Sequence, residues 1–371
     1  MVVVGAVVGM LLVYYLLGGF VQNPSGFEED DLNPPFINDM VRNEDYPGPL
    51  SGFNYPMNLQ PFLSYSPIVY ASFGGVLELL IENEGSNDAY VHHYYVVWEG
   101  GNETFRSNCS RLITSGDQEG LGKLYFAGPG AAGPATLEIW MEVWTSSSNG
   151  ERWDDQGELS VSTIDFDVVD EEPLRERDVQ RNPVKYYNKV NGLIDLDVVG
   201  PLADEVRSAV PGNYSLLQAI KAYELVSHRI AYAEDEDEYW QSPAETIALG
   251  TGDCEDHSLL LASLITELGG TCRVNLIPSH AFPSVYVGNA SVTGEVVDAI
   301  QTYYGNPVPV YYTVDDLGFW LVIDTNGLPY FGGHPAASSP AGGSGEMYWN
   351  FDEGDWIKLI DVTGVTVDTL F

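Results

Sequence analysis

The sequence predicts an α+β protein in three parts: an N-terminal transmembrane helix, an antiparallel β-sandwich, and a C-terminal domain that mixes helices with strands. Three observations predict it. The first 21 residues, MVVVGAVVGMLLVYYLLGGFV, carry no charged side chain. From about Tyr55 to Asp170, short β-branched and aromatic runs alternate with turn clusters, and no helical stretch intervenes. Beyond residue 183, segments of helical periodicity appear between such runs.

Residues 1–21 would span ~30 Å as a helix at ~1.5 Å per residue, the thickness of a bilayer core. The run is longer than the ~7–15 apolar residues of a cleaved signal peptide, and no clear small-x-small site follows it, so an uncleaved single-pass anchor is expected. Residues 22–49 are acidic and rich in Pro, Gly and Asn, and read as a spacer between membrane and body. No basic residue precedes Arg42, so basic-loop asymmetry gives no orientation. The acids Glu28 to Asp31 and the two-domain body favour a body on the extracellular side of the cell membrane.

The formal net charge is −39, with 54 acids against 15 basic residues, only five of them lysine. Such a surface repels nucleic-acid phosphates and anionic lipid, so neither is an expected partner. At 44% hydrophobic and 12% aromatic the chain can bury cores, which excludes a disordered acidic polymer. Low lysine runs through the whole chain and suits adaptation to high salt, where counterions screen self-repulsion. Three cysteines (Cys109, Cys254, Cys272) are too few for a disulfide scaffold, and the odd number leaves at least one thiol without a partner in the chain.

Residues 50–170 form the expected sandwich, with GVLELLIE, AYVHHYYVVWEG, KLYFAG, ATLEIWMEVWT and LSVSTIDFDVV as strands, like an immunoglobulin domain. It shows no catalytic constellation. His92 and His93 are adjacent on a strand, and strict alternation sends them to opposite faces. Residues 171–182, EEPLRERDVQRN, read as a charged linker, and the second domain occupies 183–371.

In that domain SLLQAIKAYELVSHRI, from Ser215 to Ile230, has an amphipathic pattern. EDEDE at 234–238 reads as a solvated acidic loop; contiguous acids lack the alternate spacing of a calcium loop. Ser242 caps a short helix opened by Pro243. In GTGDCEDHSLLLASLITELGG, Asp253 is the N-cap of a helix that Gly269 and Gly270 end, Asp256 completes a capping box, and Leu260, Leu261, Leu264 and Leu268 form its buried stripe. TCRVNLIPSHAFPSVYVG reads as strand, Pro-Ser turn, strand. FWLVID is another strand with Asp324 at its end. Gly333 to Gly345 reads as a flexible surface loop.

Cys254 thus falls at the first helical position, where free backbone N–H groups and the positive dipole end stabilise a thiolate. The flanking acids read as capping groups that point to solvent. A nucleophile at a helix start, facing a sheet that carries a histidine and a carboxylate, is the papain-type thiol arrangement. His280 begins the second strand of the hairpin and Asp324 ends its neighbour.

PAETIALGTGDCEDHSLLLASLITELGG, then SHAF, then FWLVIDT, resembles the transglutaminase-like superfamily, which includes archaeal and bacterial predicted cysteine peptidases as well as true transglutaminases. The resemblance covers about Pro183 to Asp361. It rests on a Gly-x-Cys at a helix start, a His-Ala-aromatic on a strand, and a Trp a few residues before an Asp. It implies a papain-like α+β fold with Cys254 as nucleophile, His280 as general base and acid, and Asp324 as the orienting group, with Trp320 matching the aromatic. The long interval from Pro283 to Phe319 departs from the pattern and makes Asp298 a rival third member. The implied chemistry is acyl transfer through a thioester, on a protein or peptide substrate at the cell surface, ending in hydrolysis or cross-linking, without a cofactor. The Cys254 backbone N–H would donate to the oxyanion, with Trp240 or Gln241 as candidate second donor. Two other readings compete. Cys254, His257, Cys272 and His280 could form a soft tetrahedral zinc set, and the domain could be a non-catalytic envelope module.

Overall fold

The structure, a computed structural model, describes residues 26–38, 47–50, 52, 54–101, 104–107, 109–234, 239–305, 308–328, 330–342, 349–352 and 354–367. The fold is mixed α+β and rich in strands. The predicted anchor, residues 1–21, lies outside the described residues, and among those described no helix is long and apolar enough to cross a membrane.

The N-terminal half consists of β1 (Leu59–Tyr65), β2 (Gly75–Asn83), β3 (Ala89–Trp98), β4 (Thr104–Ser107), β5 (Arg111–Ile113), β6 (Gln118–Phe126), β7 (Gly133–Ser146) and β8 (Trp153–Val168). They form two antiparallel sheets, ordered β1-β2-β6 and β4-β3-β7-β8, with β5 added beside β3. Alternation explains the core between them. Leu77, Leu79 and Ile81 of β2 are fully buried, while the residues between them are more exposed. Their partners across the core include Val91, Tyr94, Val96, Ile139 and Val143. Alternation fails at the histidine pair. A register shift between Val91 and His93 inserts a bulge, and the His92 and His93 rings lie 5.2 Å apart instead of on opposite faces. His93 Nε2 is 3.2 Å from Glu142 and 3.1 Å from Arg106 Nη1.

The segment predicted as a linker belongs to the second half. Its strands β9 (Glu172–Pro173) and β10 (Asp178–Arg181) pair with C-terminal strands. Helices α1 (Val184–Asn191), α2 (Leu196–Ala209) and α3 (Leu216–Arg229) follow, then the short β11 (Ala231–Tyr232), α4 (Pro243–Leu249), β12 (Thr251–Gly252) and α5 (Cys254–Glu267). The remainder is β13 (Cys272–Ile277), β14 (His280–Gly288), α6 (Thr293–Tyr304), β15 (Tyr312–Asp315), β16 (Gly318–Val322), β17 (Ser338–Gly342), β18 (Trp349–Phe351) and β19 (Trp356–Asp361). The main sheet runs β10-β19-β13-β14-β16-β15. One face packs on the helices through Val274, Val285, Val287, Leu321 and Ile360. The other carries Phe282, Val322, Ile357 and Leu359, covered by Trp349 and Phe351 of β18.

Two expectations about irregular segments change. Residues 26–38 of the predicted spacer lie along the second half: Phe27 N donates to Asp361 Oδ2 at 3.2 Å, Asn33 N to Thr271 Oγ1 at 2.8 Å, and Phe27 stacks on Trp320 at 5.9 Å. Part of the predicted loop 333–345 forms β17 and folds against the sheet. In both cases Gly, Pro and Asn suggested a mobile chain, and backbone hydrogen bonds to distant partners order it.

Candidate active-site cleft

Helix α5 positions the cysteine. Asp256 Oδ2 accepts from Asp253 N at 3.2 Å and closes the predicted capping box, and Asp256 Oδ1 accepts from Gln241 N at 2.7 Å. Gly252 is needed here, because a Cβ would come within 2.7 Å of Asp256 Cβ. The helix is not one-sided as its leucine stripe suggested. Every residue from Cys254 to Ile265 is buried, between the sheet, α2 and α3.

The β13–β14 hairpin positions the histidine. Ile277 pairs with His280 across a two-residue Pro278-Ser279 turn, in which Ser279 adopts φ +59°. His280 Nε2 and Asp324 Oδ2 are 2.7 Å apart, with both side chains buried. Asp324, two residues past β16, is fixed further by Asn326 N at 2.9 Å on Oδ1 and Ala336 N at 2.8 Å on Oδ2. Burial pushes the Asp324 carboxyl up, but the His280 charge and these hydrogen bonds outweigh it and hold the group below its usual range. With Nε2–H given to Asp324, the free base position of His280 is Nδ1.

Cys254 and His280 line one cleft of about 440 Å³, with Ala281, Glu255, Tyr232, Trp240 and Trp356 among its walls. The sulfur also receives a hydrogen bond from the Ala281 backbone. The rivals fall elsewhere. Asp298 stands on an exposed face of α6, where its carbonyl accepts from Thr302. Of the two oxyanion candidates, Trp240 lines the cleft, and Lys189 Nζ sits 3.7 Å over its ring. Gln241 is not among the cleft residues, and its backbone N–H is committed to Asp256.

The zinc set is not assembled. Cys272 starts β13, opposite Val285, whereas His280 pairs with Ile277 at the other end. At ~3.4 Å per residue those ends are roughly 17 Å apart. His257 turns to Thr325, its Nδ1 2.9 Å from Oγ1. The metal-capable group found among the described residues is instead Asp253, Cys254 and Glu255.

Glu255 is the site residue that sequence reasoning missed. Its carboxylate was expected to point to solvent. It is buried, and the Cys254 thiol donates to its Oε2 at 3.0 Å. Burial, then the Glu255 charge and hydrogen bond, push the thiol far above its usual range, against the opposing Ala281 N–H. The acid does not point away from the thiol because α5 is packed on every face, and its first turn opens only into the cleft. The apolar run Leu259-Leu260-Leu261, which fills consecutive directions around a helix, carried that signal. Trp320, the matched aromatic, is fully buried: Arg273 stacks 3.6 Å over its ring, and its Nε1 donates to Asp315 at 3.1 Å.

No family model matches the chain, and no curated protein matches it. Among solved structures it is similar to the ApaA protein from Bordetella pertussis, at 11% identity and TM-score 0.23 over 30% of this chain and 95% of that one. It is also similar to a Bacteroides uniformis β-glucuronidase, at 9% identity and TM-score 0.19 over 37% of this chain and 19% of that one. Native α-2-macroglobulin from Escherichia coli is a further such structure, at 15% identity and TM-score 0.22 over 57% of this chain and 33% of that one. All three scores are far too low for an argument about fold or function.

Proposed function

We propose that this chain is a cell-surface thiol acyltransferase or cysteine peptidase of the transglutaminase-like type, acting on peptide or glutamine amide bonds through Cys254, His280 and Asp324. The facing antiparallel sheets of the N-terminal half would be an immunoglobulin-like module, and the second half a papain-like fold. Residues 1–21 would anchor it in the membrane. The observation that carries the reading is the buried His280–Asp324 pair, 2.7 Å apart, on the cleft that also holds Cys254.

In this reading the thiol proton passes to His280 Nδ1 and the sulfur attacks the amide carbonyl. The Cys254 N–H would receive the oxyanion, with the cleft-lining Trp240 as candidate second donor. His280 gives its proton to the leaving amine as the C–N bond breaks, and a thioester remains. Water or an incoming amine, deprotonated by His280, then releases the acyl group and restores the thiol. Asp324 holds the imidazole and offsets the charge of its protonated form. The Cys254–Glu255 hydrogen bond favours a second reading, a non-catalytic module in which the thiol stays protonated.

Mass spectrometry of the intact chain after incubation with glutamine-containing peptides decides between them. An acyl adduct on Cys254 that is lost in His280→Ala is expected. A chain that forms no adduct and takes up iodoacetamide equally slowly at Cys254 and Cys272 would overturn the enzymatic reading.

A further inference from the structure

A second cavity, of about 240 Å³, lies where the two halves of the molecule meet. Its walls come from β5, β6 and the loop before them on one side, and from α3 and the chain beyond α6 on the other. At ~30 Å³ per water it has room for roughly eight waters or one small organic molecule. Its charge balance inverts that of the chain. Acids outnumber basic residues 54 to 15 overall, yet this cavity is lined by Arg111 and Lys123 from the sheets, His228 from the last turn of α3, and a single acid, Glu224. Glu224 is already matched, because Lys221 Nζ donates to Oε2 at 2.8 Å and Tyr303 OH to Oε1 at 2.6 Å. Arg111 and Lys123 have no such match: among the described residues neither side chain forms an ion pair or a hydrogen bond. Glu78 of β2 stands opposite Lys123 without an ion pair to it, and two unpaired cationic side chains on one cavity are unexpected in a molecule with an excess of carboxylates to pair them. Tyr125 and Tyr223 complete the apolar floor, and both hydroxyls are spent on backbone carbonyls, those of Phe73 and Leu328.

We infer that this interdomain cavity binds a small polyvalent anion, a di- or tricarboxylate or a phosphate-sized oxyanion, between Arg111 and Lys123. Because the ligand would touch both halves, its occupancy would tie the sheets to the helical half. This site is separate from the Cys254 cleft and does not depend on the acyl-transfer reading.

Calorimetric titration of the full chain with citrate and with sulfate tests it, at an ionic strength held constant with sodium chloride. Saturable binding of either anion is expected, weakened about tenfold in each of Arg111→Gln and Lys123→Gln, in line with loss of one charge-assisted hydrogen bond. Arg152→Gln, a cation on the far hairpin, should leave it unchanged. Both lining cations are exposed enough that the variants keep their fold, and the melting temperature without added anion checks this. Absence of saturable binding for both anions overturns the inference, as does an equal weakening by Arg152→Gln, which would assign the effect to overall charge.

Discussion

The two walls of the Cys254 cleft are built on opposite principles. On the histidine wall, three donors fix the Asp324 carboxylate, and every one of them favours its charged form. On the cysteine wall, a buried carboxylate meets the thiol and favours its neutral form. One wall is set for its working state and the other is not. The difference teaches that a helix start alone does not make a reactive thiolate. Its dipole is a fraction of a charge, and a carboxylate at hydrogen-bond distance from a largely buried thiol opposes it. Turnover on the proposed pathway therefore requires the thiol to exchange Glu255 for His280.

Breaking the histidine wall should have the largest effect. Asp324→Ala leaves the imidazole unoriented and should lower turnover by roughly 10⁴-fold, as removal of an orienting carboxylate does. Asp298→Ala should leave turnover within a factor of about two, because that side chain is on an exposed helix face. A reversal of these two results in steady-state assays would move the third member to α6.

Relieving the cysteine wall should have the next largest effect. Glu255→Gln keeps the shape and removes the charge, so the thiol should titrate at lower pH. A change of one pH unit is about tenfold in thiolate, and iodoacetamide labelling of Cys254 at neutral pH should accelerate by at least that factor. Unchanged labelling would show that burial, not Glu255, governs the thiol.

Core support behind the histidine wall ranks third. Trp320→Leu removes the Arg273 stack and the Asp315 hydrogen bond, and should lower unfolding stability by about 3 kcal/mol in urea titrations. A loss below 1 kcal/mol would mean that Phe27 and Tyr286, whose rings lie 5.9 and 5.2 Å from that of Trp320, close the gap.

The walls should also separate by pH. The folded Asp324 carboxyl lies below its usual value, so its contribution to stability is intact above ~4 and lost as pH falls through the folded value. The thiols run the other way. Burial raises both Cys254 and, to about 12, Cys272, so their contribution is intact below ~8.5 and lost as pH rises. Cys272→Ala should flatten the alkaline decline by up to ~1.4 kcal/mol per pH unit, and Asp324→Asn the acid one. Identical slopes in the variants would discount both groups.

The smallest effect concerns the whole surface. A net charge of −39 should make the melting temperature rise by several degrees from dilute buffer to molar sodium chloride. An unchanged value would remove the high-salt reading.

Local signals carried far in this chain. The Ser242 and Asp253 caps, the Pro-Ser hairpin, the helix end at Gly269 and the strand before Asp324 were all legible, because each depends on backbone chemistry within four residues. The alternating strands of the N-terminal half were legible for the same reason. By itself the sequence determined the strands of the N-terminal half, the helices that open at Leu216, Pro243 and Cys254, and that His280 begins a strand and Asp324 follows one. Only the tertiary structure decided which carboxylates meet them. Asp324 reaches His280 across 44 residues, and Asp298 turns away. Residues 178–181 join the main sheet because β19 offers a free edge, not because of their composition. Glu255 lies against the thiol because α5 is enclosed by two helices and a sheet, and no local pattern states what will surround a helix. Hydrogen bonds along the chain follow from neighbouring residues. The dielectric and the charges around a side chain follow from every element packed on it, and these set the chemistry of Cys254.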